Sequence, residues 1–269
     1  MLFSSEDFIS TDRYLQFSQS FPSDIVQYHK RDFIYSGGVW RGKYVAPISK
    51  TKCLLIGHSD YAFTEHDANV CKQTAPSIFA VNNESQYGKG LPIGITNNTN
   101  EYHTHPVLGN TDIMISELIQ PQILSNKHLV YSNVSPNTHS SRAPILALFK
   151  DKTWVLNEEG QDYSLEGRIN YLHHIRSHKF TLAPAGNGID THRLWEALYM
   201  QSIPIVKRHI VHRDWEDLPI YFVDNFAEVT PETLEQKYEE LAPLFKDEKL
   251  MKKCTLGWWK ENIQNCLKH

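Results

Sequence analysis

Residues 178–207 read HKFTLAPAGNGIDTHRLWEALYMQSIPIVK, and this stretch decides the fold. Apolar and polar positions alternate over Lys179–Pro184 as they do in a strand, and the glycines that follow predict a tight turn. A helix comes next, and Asp190 or Thr191 is expected to accept hydrogen bonds from its free N–H groups. The apolar run Ile203–Val206 predicts a second strand. Together these elements predict one βαβ unit of a parallel sheet.

The turn and the helix N-terminus of this unit have the chemistry of an anion site. They lie at the carboxyl end of the sheet, where open α/β proteins bind ligands, and the helix dipole favours negative charge there. Gly186 and Gly188 allow the backbone to approach a ligand, Arg193 can contact a phosphate, and Glu196 can accept from sugar hydroxyls. The chain contains neither G-x-G-x-x-G nor G-x-x-x-x-G-K-[ST], which argues against a dehydrogenase and a P-loop NTPase.

Two motifs carry a resemblance to a known family. The run GNGIDTHRLWEALY, followed by SIPIV, resembles the nucleotide-sugar signature of exostosin-like glycosyltransferases, family 47, in its soluble bacterial or viral type. The loop NVSPNTHSSR at 133–142 resembles the N-x-N-T-x-x-x-R element of the same enzymes. The resemblance implies an α/β protein of GT-B architecture, in which two Rossmann-like domains face each other across a cleft. It also implies that no metal is obligatory.

The resemblance further implies which residues hold the sugar donor. Arg142 and Arg193 would face its diphosphate, and Glu196 would position its sugar hydroxyls. One departure is Ala185, where relatives often carry a charged residue. The implied sugar-donor residues are Asn133, Asn137, Arg142, Pro184, Gly186, Asn187, Gly188, Asp190, Thr191, His192, Arg193 and Glu196.

The expected organisation is two domains and a final helix. Residues 1–118 form an acceptor-side Rossmann-like domain, 119–245 form the nucleotide-sugar-binding domain, and 246–269 form a helix that packs back toward the first domain. In the first domain, Cys53–Ile56, Ser77–Asn82 and Leu91–Thr96 read as short apolar strands.

The predicted catalytic base lies just after the first of these strands. An inverting transfer requires a base on the side of the sugar opposite the leaving group, and loops at strand carboxyl ends border the cleft. Asp60 is the preferred base and His58 the alternative that is not a carboxylate. The reserve carboxylates are Glu65, Asp67 and Glu101.

Composition limits the classes of partner. The formal charge is −4 and the pI about 6.4, so the chain lacks the basic footprint of a nucleic-acid-binding protein. No apolar run approaches the roughly 20 residues of a transmembrane segment, and the N-terminus lacks the apolar region of a secretory signal. The four cysteines are widely spaced and read as reduced thiols. A cytoplasmic protein is expected.

The histidines do not form a recognisable metal motif. There are fourteen, and neither the pair His103 and His105 nor the pair His174 and His178 is accompanied by an acidic or cysteine ligand at metal spacing. We expect surface histidines, no metal and no cofactor. Asp214–Asp217 has one residue too many for a D-x-D motif and reads as a solvated loop.

The anion site and the resemblance together predict a glycosyltransferase that moves a sugar from a nucleotide sugar, expected to be a UDP-sugar. Inversion, and transfer without a metal, are what the resemblance implies. The acceptor would be a hydroxyl of an oligosaccharide or glycoconjugate. One alternative is a non-catalytic protein that binds a nucleotide sugar or a glycan. Another is a metal-dependent hydrolase built on the histidines.

Overall fold

A computed structural model of the protein describes residues 3–21, 24–29, 51–57, 60–96, 110–118, 128–158, 162 and 164–268. The strands in these ranges form two parallel sheets, one of four strands and one of five. The predicted α/β class with parallel sheets is therefore confirmed.

The first sheet lies in the N-terminal part of the chain. Its strands, in their order across the sheet, are β1 Ile25–His29, β2 Cys53–Gly57, β3 Ser77–Ala80 and β4 Lys89–Gly90. The accompanying helices are α1 Thr11–Gln19, α2 Glu65–Cys71 and α3 Asn110–Leu118. Every residue of β2 is buried, as expected for an apolar strand that is covered on both faces. Helix α2 begins with a reciprocal capping box of Thr64 and Asp67.

The second sheet contains the βαβ unit that the sequence predicts. Its strands are β5 His128–Ser132, β6 Val155–Asn157, β7 His178–Leu182, β8 Ile203–Lys207 and β9 Tyr221–Val223. Its helices are α4 Arg142–Phe149, α5 Leu165–Ser177 and α6 His192–Tyr199. The order across the sheet is β6-β5-β7-β8-β9. After β5 the chain adds β6 on one side of it and then β7, β8 and β9 on the other side, so the strand order reverses between β5 and β7. The carboxyl ends of these two strands flank the point where α/β sheets bind ligands.

The C-terminal part of the chain is helical. It contains α7 Pro231–Leu241, α8 Glu248–Met251 and α9 Leu256–Cys266. Threonine followed by proline is typical of a helix start, and Thr230 caps α7 with Pro231 at its beginning. The segment 246–269, predicted as one helix, is divided because Thr255 caps a new helix. The Leu256 N–H donates to the Asp7 carbonyl at 2.8 Å, so α9 contacts the N-terminal segment. None of the helices in the described ranges is long and apolar enough to span a bilayer.

One hydrophobic core includes side chains of both sheets. Phe79 of the first sheet and Phe180 of the second belong to the same cluster of buried residues. Buried tryptophans extend this core toward the C-terminus, because the Trp215 ring centroid lies 5.4 Å from that of Trp195 and 6.2 Å from that of Trp259.

Two segments differ from their predicted structure. The predicted strand Leu91–Thr96 is wrong: β4 ends at Gly90, and Gly94 takes a φ of +67°, which breaks an extended strand. The predicted solvated loop Asp214–Asp217 is also wrong, because Trp215 is fully buried at the end of a 3-10 helix, Ile210–Trp215.

Candidate functional site

The loop that follows β7 lies at the switch point of the second sheet. We call residues 183–190 the glycine loop. The N–H of Gly186 donates to the carbonyl of Gly188 at 2.9 Å and closes a tight turn. Neither glycine takes a positive φ, so each is required by close approach of a neighbouring group and not by backbone conformation.

Arg142 lies against this turn. It begins α4 and is only 5% exposed. Its Nε donates to the carbonyl of Ala185 at 2.7 Å, and a Cβ on Gly186 would lie 2.9 Å from the guanidinium. Burial, with the nearby positive charge of Arg193, lowers the pKa of Arg142 to about 10. The glycine at 186 therefore makes room for a buried arginine.

Arg193 approaches the same place from the first turn of α6. It is 8% exposed, and one of its terminal nitrogens donates to the carbonyl of Asn133 at 2.6 Å. Its Nε is buried and has no hydrogen-bond partner within the described residues. A buried guanidinium nitrogen without an acceptor costs free energy, so this atom favours a ligand that supplies one.

Glu196 lies one turn further along α6 and is also buried. It accepts from the Tyr171 hydroxyl at 2.6 Å and from Arg168 at 3.1 Å, both on α5. Burial acts to raise the pKa of Glu196, but the Arg168 guanidinium and the Tyr171 hydroxyl outweigh it and lower the pKa below its usual value. The carboxylate is therefore charged and held in place.

The guanidinium groups around the loop are not balanced by acidic groups. The Arg168–Glu196 ion pair is neutral as a unit, so Arg142 and Arg193 leave two positive charges. The carboxylate within the loop, Asp190, does not balance both of them, because burial raises its pKa to about 7 and it is bonded to Ile93 and Trp195. In the part of the chain that the structure describes, neither Arg142 nor Arg193 forms an ion pair with a carboxylate. Buried charges are stable only when they are paired and hydrogen-bonded. The arrangement can therefore bind a polyvalent anion.

The far end of the glycine loop is joined to connections of the first sheet. The Asp190 carboxylate accepts from the Ile93 N–H at 2.8 Å and from the Trp195 indole at 2.9 Å. Burial raises the pKa of Asp190 to about 7. The next residue but one, His192, hydrogen-bonds through Nδ1 to the carbonyl of Gly94 at 2.7 Å. Both side chains thus hold the loop against the first sheet.

The expected side-chain cap of α6 is wrong. Thr191 is the N-cap residue, but its hydroxyl forms no capping hydrogen bond and has no partner within the described residues. The Asp190 carboxylate lies instead against Ile93 and Trp195. Among the described residues, the N-cap side chain therefore leaves the first turn of α6 without a capping hydrogen bond.

The structure separates the remaining predicted residues into two groups. Asn133 and Pro184 are buried at the arginines, where the Asn133 carbonyl accepts from Arg193. Asn137, Asn187 and Asp60 are exposed. His58 lies outside the described residues, as do Glu101, His103 and His105.

Asp60 lies near the loop through its backbone. Its carbonyl oxygen would be 3.1 Å from a Cβ on Gly188. No hydrogen bond or ion pair involves the Asp60 carboxylate within the described ranges. The segment that carries this carboxylate therefore reaches the glycine loop from the first sheet.

Sequence reasoning missed the residues of α5 that reach the site. Arg168 and Tyr171 are three positions apart and so share one helix face, a spacing that is visible in the sequence but not specific.

His174 of the same helix lies 3.2 Å from Glu158, whose carboxylate also accepts from the Tyr131 hydroxyl. The expectation of surface histidines is wrong for His178, which is buried.

A cavity of about 510 Å³ adjoins the glycine loop at the carboxyl ends of β7, β8 and β9. Ala183 and Ala185 belong to its wall, together with the charged residues Lys207, Arg208 and Asp224. Arg208 forms an ion pair with Asp224 at 3.8 Å, which leaves Lys207 as the cation of the lining without an ion pair among the described residues. His212 also lines the cavity. Burial lowers the pKa of His212 to about 3, with a smaller contribution from the charge of nearby His209, so the His212 imidazole is neutral. The volume lies in the range of pockets that hold a cofactor or small molecule.

No family model and no curated protein matches this sequence. Within the described residues there is also no group of three or more histidine, cysteine, aspartate or glutamate side chains that could hold a metal ion.

Replacing Gly188 with alanine is expected to lower the free energy of unfolding by about 1–3 kcal/mol. The new Cβ would lie 2.5 Å from the Asn82 amide nitrogen and 3.1 Å from the Asp60 carbonyl. The Asn82 side chain, which accepts from the Asp190 N–H, would have to move. Denaturant unfolding measures the effect. Gly257→Ala is the matched control, because a Cβ there meets nothing within 4 Å and should leave stability unchanged or slightly higher. Equal stability of the two variants would contradict the close approach at Gly188.

Proposed function

We propose that the protein is a glycosyltransferase whose nucleotide-sugar donor places its diphosphate at the glycine loop. The observation that carries this proposal is the excess of positive charge in the cluster of Arg142, Arg168, Arg193 and Glu196, in which Arg142 and Arg193 are buried and form no ion pair within the described residues. A diphosphate supplies the negative charge and the acceptor atoms that this cluster lacks, including one for the Arg193 Nε. The position at a switch point and the resemblance of the GNGIDTHR motif support the same ligand.

The cavity of about 510 Å³ is proposed to hold the nucleoside. Ala185 lines this cavity and its carbonyl accepts from the Arg142 Nε, so the cavity lies next to the arginine that we propose contacts the diphosphate. A UDP-sugar matches the resemblance. In this proposal, the two sheets belong to Rossmann-like domains that face each other across a GT-B cleft, in a cytoplasmic protein.

The reaction needs a base, an in-line acceptor and a stabilised leaving group. The acceptor hydroxyl of a glycan loses its proton to the base, for which we propose Asp60. The oxygen of the acceptor hydroxyl forms a bond to the anomeric carbon as the bond from that carbon to the diphosphate oxygen breaks. The electron pair leaves with the diphosphate, where Arg142 and Arg193 stabilise the developing charge. Glu196, fixed by Arg168 and Tyr171, is proposed to accept from sugar hydroxyls.

A panel of nucleotide sugars and free nucleotides tests the ligand class. A ligand held at 100 times its dissociation constant stabilises the folded protein by about 2.7 kcal/mol, which raises the midpoint of thermal unfolding. We expect UDP and a UDP-sugar to raise it and pyrimidine nucleosides without phosphate to have little effect. Slow release of UDP from the donor would distinguish a transferase from a non-catalytic binding protein. If no nucleotide diphosphate raises the midpoint, the proposal is wrong.

Chelation of divalent cations is expected to leave most of the activity. The arginines and the N-terminus of α6 provide the positive charge that a metal provides in D-x-D enzymes. The measurement is transfer rate with and without EDTA, followed by addition of Mn²⁺. Loss of transfer in EDTA and recovery in Mn²⁺ would show that the arginines do not replace a metal.

A further inference from the structure

Asn82 has an unusual backbone conformation at the edge of the first sheet. It follows β3, is 1% exposed, and takes a φ of +51°. In the described ranges, Gln201 is the other residue besides glycine with a positive φ. Such a conformation persists only where the surrounding structure holds it, and it is often found at functional sites.

The Asn82 side chain contacts the glycine loop at two places. Its Oδ1 accepts from the Asp190 N–H at 2.8 Å. Its amide nitrogen would lie 2.5 Å from a Cβ on Gly188, so a side chain at position 188 would displace the Asn82 amide from its present position. Asp190 is therefore bonded at two groups: its carboxylate accepts from Ile93 and Trp195, and its main-chain N–H donates to Asn82.

These contacts lead directly to Arg142. The turn that Asn82 touches is closed by the hydrogen bond from Gly186 N–H to Gly188 carbonyl. The preceding carbonyl, that of Ala185, accepts from the Arg142 Nε at 2.7 Å. A shift of Gly188 away from Asn82 would therefore move the carbonyl that orients the arginine.

We propose that Asn82 is a positioning residue through which the first sheet fixes the glycine loop, and with it Arg142, in the conformation that binds a diphosphate. The inference rests on the proposed function for the identity of the ligand. The left-handed backbone of Asn82 aims its amide at the loop, and the absence of a Cβ at Gly188 lets the amide reach it.

Two variants separate this role from a contribution to stability. Asn82→Gly and Asn82→Ala both remove the amide, but glycine tolerates the positive φ and alanine does not. Stability should therefore differ between them, with Asn82→Ala the less stable. UDP affinity should fall by the same factor in both, about two- to tenfold, since each loses the same hydrogen bond. Gln201→Gly is the matched control for relief of a positive φ and should bind UDP as the wild type does.

Two measurements are made on the full chain: UDP affinity by calorimetry, and amide hydrogen exchange of residues 183–191 without ligand. We expect faster exchange at Gly186 and Gly188 as well as Asp190 in Asn82→Gly, and wild-type exchange in Gln201→Gly. Wild-type exchange at Gly186 in Asn82→Gly would overturn the inference. Where the wild type binds UDP, unchanged UDP affinity in Asn82→Gly would overturn it as well. If the wild type binds no UDP but the exchange changes as expected, the positioning role stands and the proposed ligand is wrong. If Asn82→Ala does not fold, Asn82→Gly decides alone.

Discussion

Arg193→Ala is expected to weaken UDP binding about 10- to 150-fold, because a hydrogen bond to a charged group contributes about 1.5–3 kcal/mol. Its guanidinium keeps a buried Nε that no described residue accepts from, so the ligand gains a charge-assisted bond there. Arg142→Ala should produce a loss of similar size. Arg142 also donates to the Ala185 carbonyl, so that variant should lose stability as well. Calorimetric titration with UDP measures the affinity, and denaturant unfolding measures the stability.

Arg176→Ala is the matched control for both variants. Arg176 is as buried as Arg142, but it donates to the Glu117 carbonyl at 2.7 Å and lies near the Glu117 carboxylate, away from the glycine loop. Removing it should lower stability and leave UDP affinity unchanged. Unchanged UDP affinity in Arg142→Ala and Arg193→Ala, with the fold intact, would show that the diphosphate does not bind at the buried arginines.

The fold was predictable where its signals are local. The βαβ unit around the glycine loop, the buried strand after Cys53, and the Thr230 cap with Pro231 all depend on spacings of a few residues. The predictions were wrong where contacts between residues distant in the sequence determine whether a segment is buried. Trp215 is buried because it packs on Trp195 and Trp259, and the four residues from Asp214 to Asp217 alone look like a solvated loop.

The candidate site was predictable in part for the same reason. The arginines stand in motifs, so their neighbourhood could be inferred. The partners of buried polar groups could not, because Asp190 meets Ile93 from 97 positions away and Arg193 meets Asn133 from 60. Arg168 and Tyr171 carry no motif, and their part in the site appears only when α5 is placed against α6. Which hydrogen-bond partner a buried polar group finds depends on how the whole chain packs.

The position of Asp60 makes it the carboxylate to test as the catalytic base. The Asp60 backbone contacts the glycine loop, and its exposed side chain has no partner in the described ranges that would restrict it. Two of the reserve carboxylates are occupied: Asp67 accepts from the Thr64 N–H at 2.8 Å, and Glu65 accepts from the Gln86 N–H at 2.9 Å. A carboxylate that is already bonded to a backbone N–H is a weaker candidate for proton transfer.

Asp60→Asn keeps the size of the side chain and removes its basicity, so transfer should slow by about 10²–10⁴ while UDP affinity stays near that of the wild type. Glu65→Gln is the matched control, because it makes the same chemical change five residues away at a carboxylate that holds the Gln86 N–H. Its transfer rate should stay within a few-fold of the wild type. Single-turnover kinetics with a UDP-sugar and a glycan acceptor measure the chemical step in each variant. A wild-type rate in Asp60→Asn would exclude this carboxylate and pass the role to His58 or Glu101.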